Sequence, residues 1–253
     1  MNNLVKYLGV FILSLTVMSC NNEKKTATEK VIVDTVTVQQ TPIKSILSAE
    51  EQANMSPDEI IGRLKKGNEN FVSNNLTQRD HSSQRREAMI GQYPKAIVLS
   101  CVDSRVPVED VFDLGIGDIF VARVAGNIEN ADIVGSMEFA TAVAGSKVVI
   151  VMGHTACGAV KHAIDKTDAA SMEMGALQNL LNEIQPSVNA TEKNGEISSK
   201  NEEFLTNVIH KNAKITVEDI RKASPKMAQL EDEGKIKIVA AVYNMATGKV
   251  AFL

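Results

Sequence analysis

The stretch Ala96-Ile97-Val98-Leu99-Ser100-Cys101-Val102-Asp103-Ser104-Arg105 decides how this chain is read, together with Val148-Val149-Ile150-Val151-Met152-Gly153-His154-Thr155-Ala156-Cys157-Gly158. Each opens on a β-branched run and then turns polar. A short apolar run bounded by turn signals reads as a buried strand. Cys101 and His154 therefore fall at the carboxyl ends of two strands, where open α/β sheets build their sites. Cys101, His154 and Cys157 make a set of two thiolates and one imidazole. Zinc takes such ligands tetrahedrally, and three protein ligands leave a fourth position for water or substrate. Asp103 and Arg105 follow Cys101 by two and four residues. Alternate residues of an extended chain face one side, so all three can point into one site.

Outward from these stretches, strands alternate with helices. Strands are expected at Ala96–Cys101, Asp118–Val124 and Lys147–Met152, and Lys235–Asn244 with Val250–Leu253 reads as a closing hairpin turned at Thr247-Gly248. Helices are expected at Pro107–Phe112, Ala131–Ala144 capped by Asn130, Gly158–Asp165, Ser171–Ile184 and Glu202–Lys222, with Gln185–Asn201 a polar surface loop. Gln78–Gly91 is polar, then helical. The pattern predicts an α/β fold, a central and mostly parallel sheet flanked by helices. Ahead of it, Ser56, Pro57 and Glu59 form a capping box with proline at the first helical position. They open an amino-terminal helical arm carrying Ile60, Ile61, Leu64, Asn68 and Phe71 at helical spacing. No internal repeat is visible.

The chain has 253 residues and a net charge of −4, enough for one domain with a sizeable core and without the basic block of a nucleic-acid partner. Tryptophan is absent and aromatics are few, which argues against a surface that stacks sugars or bases. Of three cysteines, Cys20 lies near the amino terminus and the other two belong to the ligand set, so none is left for a structural disulfide.

Cys101-x-Asp103-Ser104-Arg105 followed by His154-x-x-Cys157 resembles the signature of the β-class carbonic anhydrases. Ala122-Arg123-Val124-Ala125-Gly126-Asn127 and the Gly-His-Thr-x-Cys-Gly context match as well, and the resemblance covers residues 56–253. It implies one catalytic zinc per chain on Cys101, His154 and Cys157. The activity implied is the reversible hydration of CO2 to bicarbonate and a proton by zinc-bound hydroxide. A structural zinc is the alternative, but such sites close with a fourth Cys or His, and no core Cys is spare. Asp103 and Arg105 would form the catalytic pair. Bound to Arg105, Asp103 would orient the hydroxide; freed, it would close the site as fourth ligand. Substrate contacts are implied at Gln92, Phe120, Phe139 and Gly158, with Phe139 standing where plant-type members carry Tyr. Another branch has a non-catalytic bicarbonate site of Trp, Arg and Tyr; Arg123 and Tyr243 occupy plausible positions, but Val98 replaces the Trp. His81, His162 and His210 are weak candidates for a proton shuttle. The resemblance implies a homodimer or homotetramer, and the amino-terminal helix packs either on a partner subunit or on its own core. A zinc hydrolase on the same scaffold, such as a carbon disulfide hydrolase, or a non-enzymatic zinc- or bicarbonate-binding lipoprotein are the rival readings.

Residues 1–20 read as a targeting segment: Lys6, an apolar run Leu8–Met18, then Ser19-Cys20. The run is shorter than the ~20 residues of a membrane span and fits a signal peptide. Its end resembles a bacterial lipoprotein box, with Cys20 lipidated and Asn21 favouring the outer membrane. Residues 21–55 are expected to be a polar tether, or else to hold an added strand.

Overall fold

The computed structural model describes residues 41–253. Its strands are β1 Ala96–Ser100, β2 Ile119–Arg123, β3 Val148–His154, β4 Lys237–Tyr243 and β5 Val250–Phe252. Its helices are α1 Ala49–Asn54, α2 Pro57–Val72, α3 His81–Glu87, α4 Val108–Val111, α5 Ala131–Glu138, α6 Gly158–Ile164, α7 Gly175–Asn189, α8 Glu202–Ala223 and α9 Pro225–Asp232. The strands form one sheet in the order β2-β1-β3-β4-β5. All neighbours pair in parallel except β4 with β5. The hairpin between those two turns with Gly248 at φ +73°.

Every residue of β1 and β3 is buried. Parallel strands covered on both faces need apolar side chains throughout, which is why these strands appear in the sequence as runs rather than alternations. Ala96, Val98, Val148, Ile150 and Met152 pack on one face against Ile60 and Leu64 of α2 and Val108 and Val111 of α4. Ile97, Leu99, Val149 and Val151 pack on the other against Val134 and Met137 of α5 and Ala213, Val217 and Ile220 of α8. The amino-terminal helix thus covers its own sheet: Ile60 and Leu64 are fully buried there. Gly67 permits the fit, since a Cβ at that position would lie 1.9 Å from the Phe112 carbonyl oxygen.

Register places the site. Ser100 of β1 pairs with Met152 of β3, so Cys101 and His154 leave neighbouring strands at the same carboxyl edge. β1 carries β2 on one side and β3 on the other, and the crevice between β1 and β3 is where this topology binds ligands.

Three expectations are corrected. Residues 43–55 are not tether. Ile43 bridges to Arg79, Ser48 and Glu51 form a capping box for α1, and buried Gln52 donates from Nε2 to the carbonyls of Pro94 and Ala144. Second, α7 begins after Ser171 and runs on through Pro186 to Asn189, into the expected loop. Proline removes only one amide donor, while Ser187 and Val188 beyond it are buried. Third, α9 was not anticipated. Ser224 caps it by accepting from the Met227 amide, and Pro225 opens it, the same device as Ser56-Pro57. The leader with Cys20 and the tether up to residue 40 lie outside the described residues. Among the described residues no helix is long and apolar enough to cross a membrane.

Candidate metal centre

Cys101 leaves β1, His154 ends β3, and Cys157 precedes α6. Two residues after His154, Ala156 takes φ +58°, a left-handed turn uncommon for a residue with a Cβ. That turn brings Cys157 back beside Cys101, with their Sγ atoms 4.0 Å apart. One ligand atom from each of Cys101, His154 and Cys157 lies within 4.8 Å of the others, and all three residues are buried. Tetrahedral zinc with bonds of about 2.3 Å to sulfur sets two thiolates roughly 3.8 Å apart, so the pair has the required spacing.

The imidazole is prepared for a metal. His154 Nδ1 lies 3.0 Å from the Thr155 carbonyl oxygen, which can only accept, so Nδ1 carries the proton and Nε2 the lone pair. Nε2 is buried and has no hydrogen-bond partner among the described residues. A buried lone pair facing two sulfurs is what a zinc ion would satisfy. Between the sulfurs, hydrogen bonding from Cys157 lowers the Cys101 thiol, aided by the Gly126 amide. The same bond, with burial, pushes Cys157 up. A divalent ion binding both sulfurs takes them as thiolates and displaces whatever proton they carry.

Asp103 and Arg105 form the expected pair. Asp103 Oδ1 accepts from Arg105 Nε at 2.9 Å and from its backbone amide at 3.0 Å, and Oδ2 accepts from Nη2 at 2.7 Å. The Arg105 side-chain bond holds the Asp103 carboxyl well below the usual carboxylate range. Oδ2 also lies 3.8 Å from His154 Nε2, so the carboxylate stands at the edge of the metal centre without entering it. Arg123, the last residue of β2, donates from Nε to the Cys101 carbonyl and from Nη2 to that of Asp103. Its guanidinium thus braces the ligand loop.

Gly158 directly follows the ligand Cys157 and Tyr243 is the strand partner of His154, whereas Phe120 and Phe139 lie away from the ligands. Phe120 pairs with Ile97, four residues before Cys101 and so roughly 13 Å down the sheet at ~3.3 Å per residue. Phe120 and Phe139 meet edge-on at 6.1 Å and line a cavity of about 750 Å³ beside β2 that includes none of the metal ligands. Gln92 is exposed, as is Gly158 at the first position of α6. Val98 and Tyr243 are buried in one apolar cluster. His81 is exposed at the start of α3, and His162 Nδ1 meets Thr167 Oγ1 at 3.0 Å. His210 is half-buried on α8, and burial lowers its pKa.

The carbonic anhydrase family model matches residues 96–250. Carbonic anhydrase 2 of Mycobacterium tuberculosis is 31% identical over 197 residues, covering 78% of this chain and 92% of that protein. The carbon disulfide hydrolase of Saccharolobus solfataricus is 30% identical over 111 residues, 44% of this chain and 54% of that protein. Among solved structures, the β-carbonic anhydrase CcaA matches with a TM-score of 0.59 and 23% identity, covering 77% of this chain and 93% of that one.

Proposed function

From the premise that the chain belongs to the β-class carbonic anhydrase family, a family of zinc enzymes, we propose that it interconverts CO2 and bicarbonate at the centre formed by Cys101, His154 and Cys157. The observation that carries this reading is the unpartnered His154 Nε2 beside two sulfurs 4.0 Å apart, with a clamped carboxylate 3.8 Å away. When bound, zinc supplies the Lewis acid that makes water a nucleophile near neutral pH. The protein does the rest. Asp103 Oδ2 accepts a hydrogen bond from the attacking water and orients its lone pair. Arg105 keeps the carboxylate ionised and engaged beside the ligands; released from Arg105, the same carboxylate could itself serve as a metal ligand. Cys101→Ser should lower bound zinc and CO2 hydration together, and full zinc occupancy in that variant would remove Cys101 from the ligand set.

A second reading, hydrolysis of carbon disulfide, draws support from the Saccharolobus solfataricus relative. Turnover of CS2 exceeding that of CO2 would favour it, and bound zinc with neither turnover would favour a binding protein.

Copies of the chain are proposed to associate across the β2 edge. Phe139 packs on Phe120 of β2 and is 50% exposed, and Phe120 and Phe139 lie too far from their own metal centre to wall it. Light scattering showing only monomer at micromolar concentration would contradict this. The leader supports lipidation at Cys20 and an outer-membrane location facing the periplasm or exterior. Mass spectrometry of the membrane fraction should find a diacylglyceryl Cys20; a soluble, unmodified product would reject it.

A further inference from the structure

One buried polar run has no part in the chemistry above. Ser187 on α7 is fully buried, and its Oγ donates to Asn212 Oδ1 at 3.1 Å. Asn212 on α8 is 2% exposed, and its Nδ2 donates to the Gly126 carbonyl at 2.8 Å. The Gly126 amide in turn points at Cys101 Sγ, 3.4 Å away. Three hydrogen bonds thus connect two helices to one thiolate of the metal centre.

A serine and an asparagine between packed helices gain little over apolar residues of the same size once desolvated. Here they are aimed at one carbonyl, on a residue whose backbone is unusual. Gly126 takes φ +71° and ψ 10°, and a Cβ there would lie 2.7 Å from Ile184 Cδ1 of α7. Gly126 therefore lies close under α7 with no room for a side chain and is held by its oxygen from α8, which fixes where its N–H points. Groups that hydrogen-bond a ligand tune the metal it binds, and hydrogen bonds to thiolate sulfurs do so by drawing off electron density.

We propose that Asn212 is a positioning residue for the metal centre: by fixing Gly126 it keeps an N–H donor on the Cys101 sulfur, and Ser187 in turn orients the Asn212 amide. The proposal rests on the metal-site reading above, and its test separates the two. The full chain is loaded with cobalt(II), and the thiolate-to-cobalt charge-transfer band is recorded. Asn212→Leu should move the band to longer wavelength, because a sulfur freed of its hydrogen bond donates electrons more readily. It should also weaken zinc binding by about tenfold. Ser187→Ala should shift the band in the same direction by less. Val217→Ala, a cavity variant on the same helix, should lower stability and leave the band in place. Should Asn212→Leu fail to fold, the unaltered protein loaded with cadmium-113 still tests the N–H donor on the Cys101 sulfur that the proposal requires. The Gly126 amide proton should show scalar coupling to the metal through the sulfur, and its absence overturns the proposal. If cobalt binds and the Asn212→Leu band matches that of Val217→Ala, the positioning role fails while the metal site stands. If neither cobalt nor cadmium binds to the two thiolates, both fail.

Discussion

Two carboxylate–guanidinium pairs, Asp103–Arg105 and Asp113–Arg79, are built in opposite ways. Asp113 is enclosed: the Asp113 and Arg79 side chains are 3% and 13% exposed. Its Oδ1 accepts from the Thr77 amide and Arg79 Nη1, and its Oδ2 from Asn70 Nδ2 and Thr77 Oγ1. Burial pushes the Asp113 carboxyl up, but the hydrogen bonds from Arg79, Thr77 and Asn70 outweigh it and hold it low. Asp103 takes all its side-chain hydrogen bonds from a single residue, Arg105, whose own side chain is 59% exposed. A carboxylate held from three sides fastens α2 and the segment ahead of α3 to the turn after α4. A carboxylate held by one exposed partner can exchange that partner for a metal. Satisfaction marks a structural pair, and dependence on one partner marks the working one.

The sharpest break in the comparison is by mutation. Asp103→Ala should cut CO2 hydration by on the order of 10³-fold, as loss of a proton-handling group does, while melting falls only slightly, because its partner Arg105 is largely exposed. Turnover near the parental value across the pH range would remove the pair from the chemistry. Asp113→Ala should do the reverse. Leaving Arg79 buried without its partner should cost about 3 kcal/mol in urea unfolding, with turnover per folded, zinc-loaded chain retained. A smaller effect comes from acid and salt. Both carboxyls are depressed in the folded chain, so the stability each supplies is complete above the ordinary carboxylate value, about 4, and is lost as pH falls below it. Asn at either position should flatten that acid limb. At 1 M salt the Asp103 contribution should shrink more than that of Asp113, because exposed Arg105 is screened and enclosed Arg79 is not. Equal salt sensitivity would erase the distinction.

The same contrast explains what was legible in the sequence. β1, β3 and their ligands were readable because strands buried on both faces must be apolar runs, and the polar residues that end them stand out. The Asp103–Arg105 pair was readable because both members sit within a few residues of Cys101. Relations between distant segments were not. Nothing in the sequence tells that Asp113 meets Thr77 and Arg79. The polar composition of 185–201 hid the end of α7, and with it Ser187 and its link to Asn212. The signal for α1 was present in Ser48 and Glu51, and that for α9 in Ser224-Pro225, but both helices are too short for apolar periodicity to announce them. Arg123 occupies a plausible anion-site position by resemblance, and two of its donors go to the Cys101 and Asp103 carbonyls. Phe120 and Phe139, substrate contacts by resemblance, line a cavity beside β2 in the single chain.

The central claim is that Cys101, His154 and Cys157 hold one zinc that serves CO2 hydration. Stopped-flow CO2 hydration, measured on the full chain against its assayed zinc content and titrated with a chelator, tests it most directly. Turnover should rise in proportion to bound zinc, extrapolate to one ion per chain at full activity, and vanish on chelation. One zinc per chain with no CO2 hydration at any pH, or hydration that survives removal of the zinc, would contradict the account.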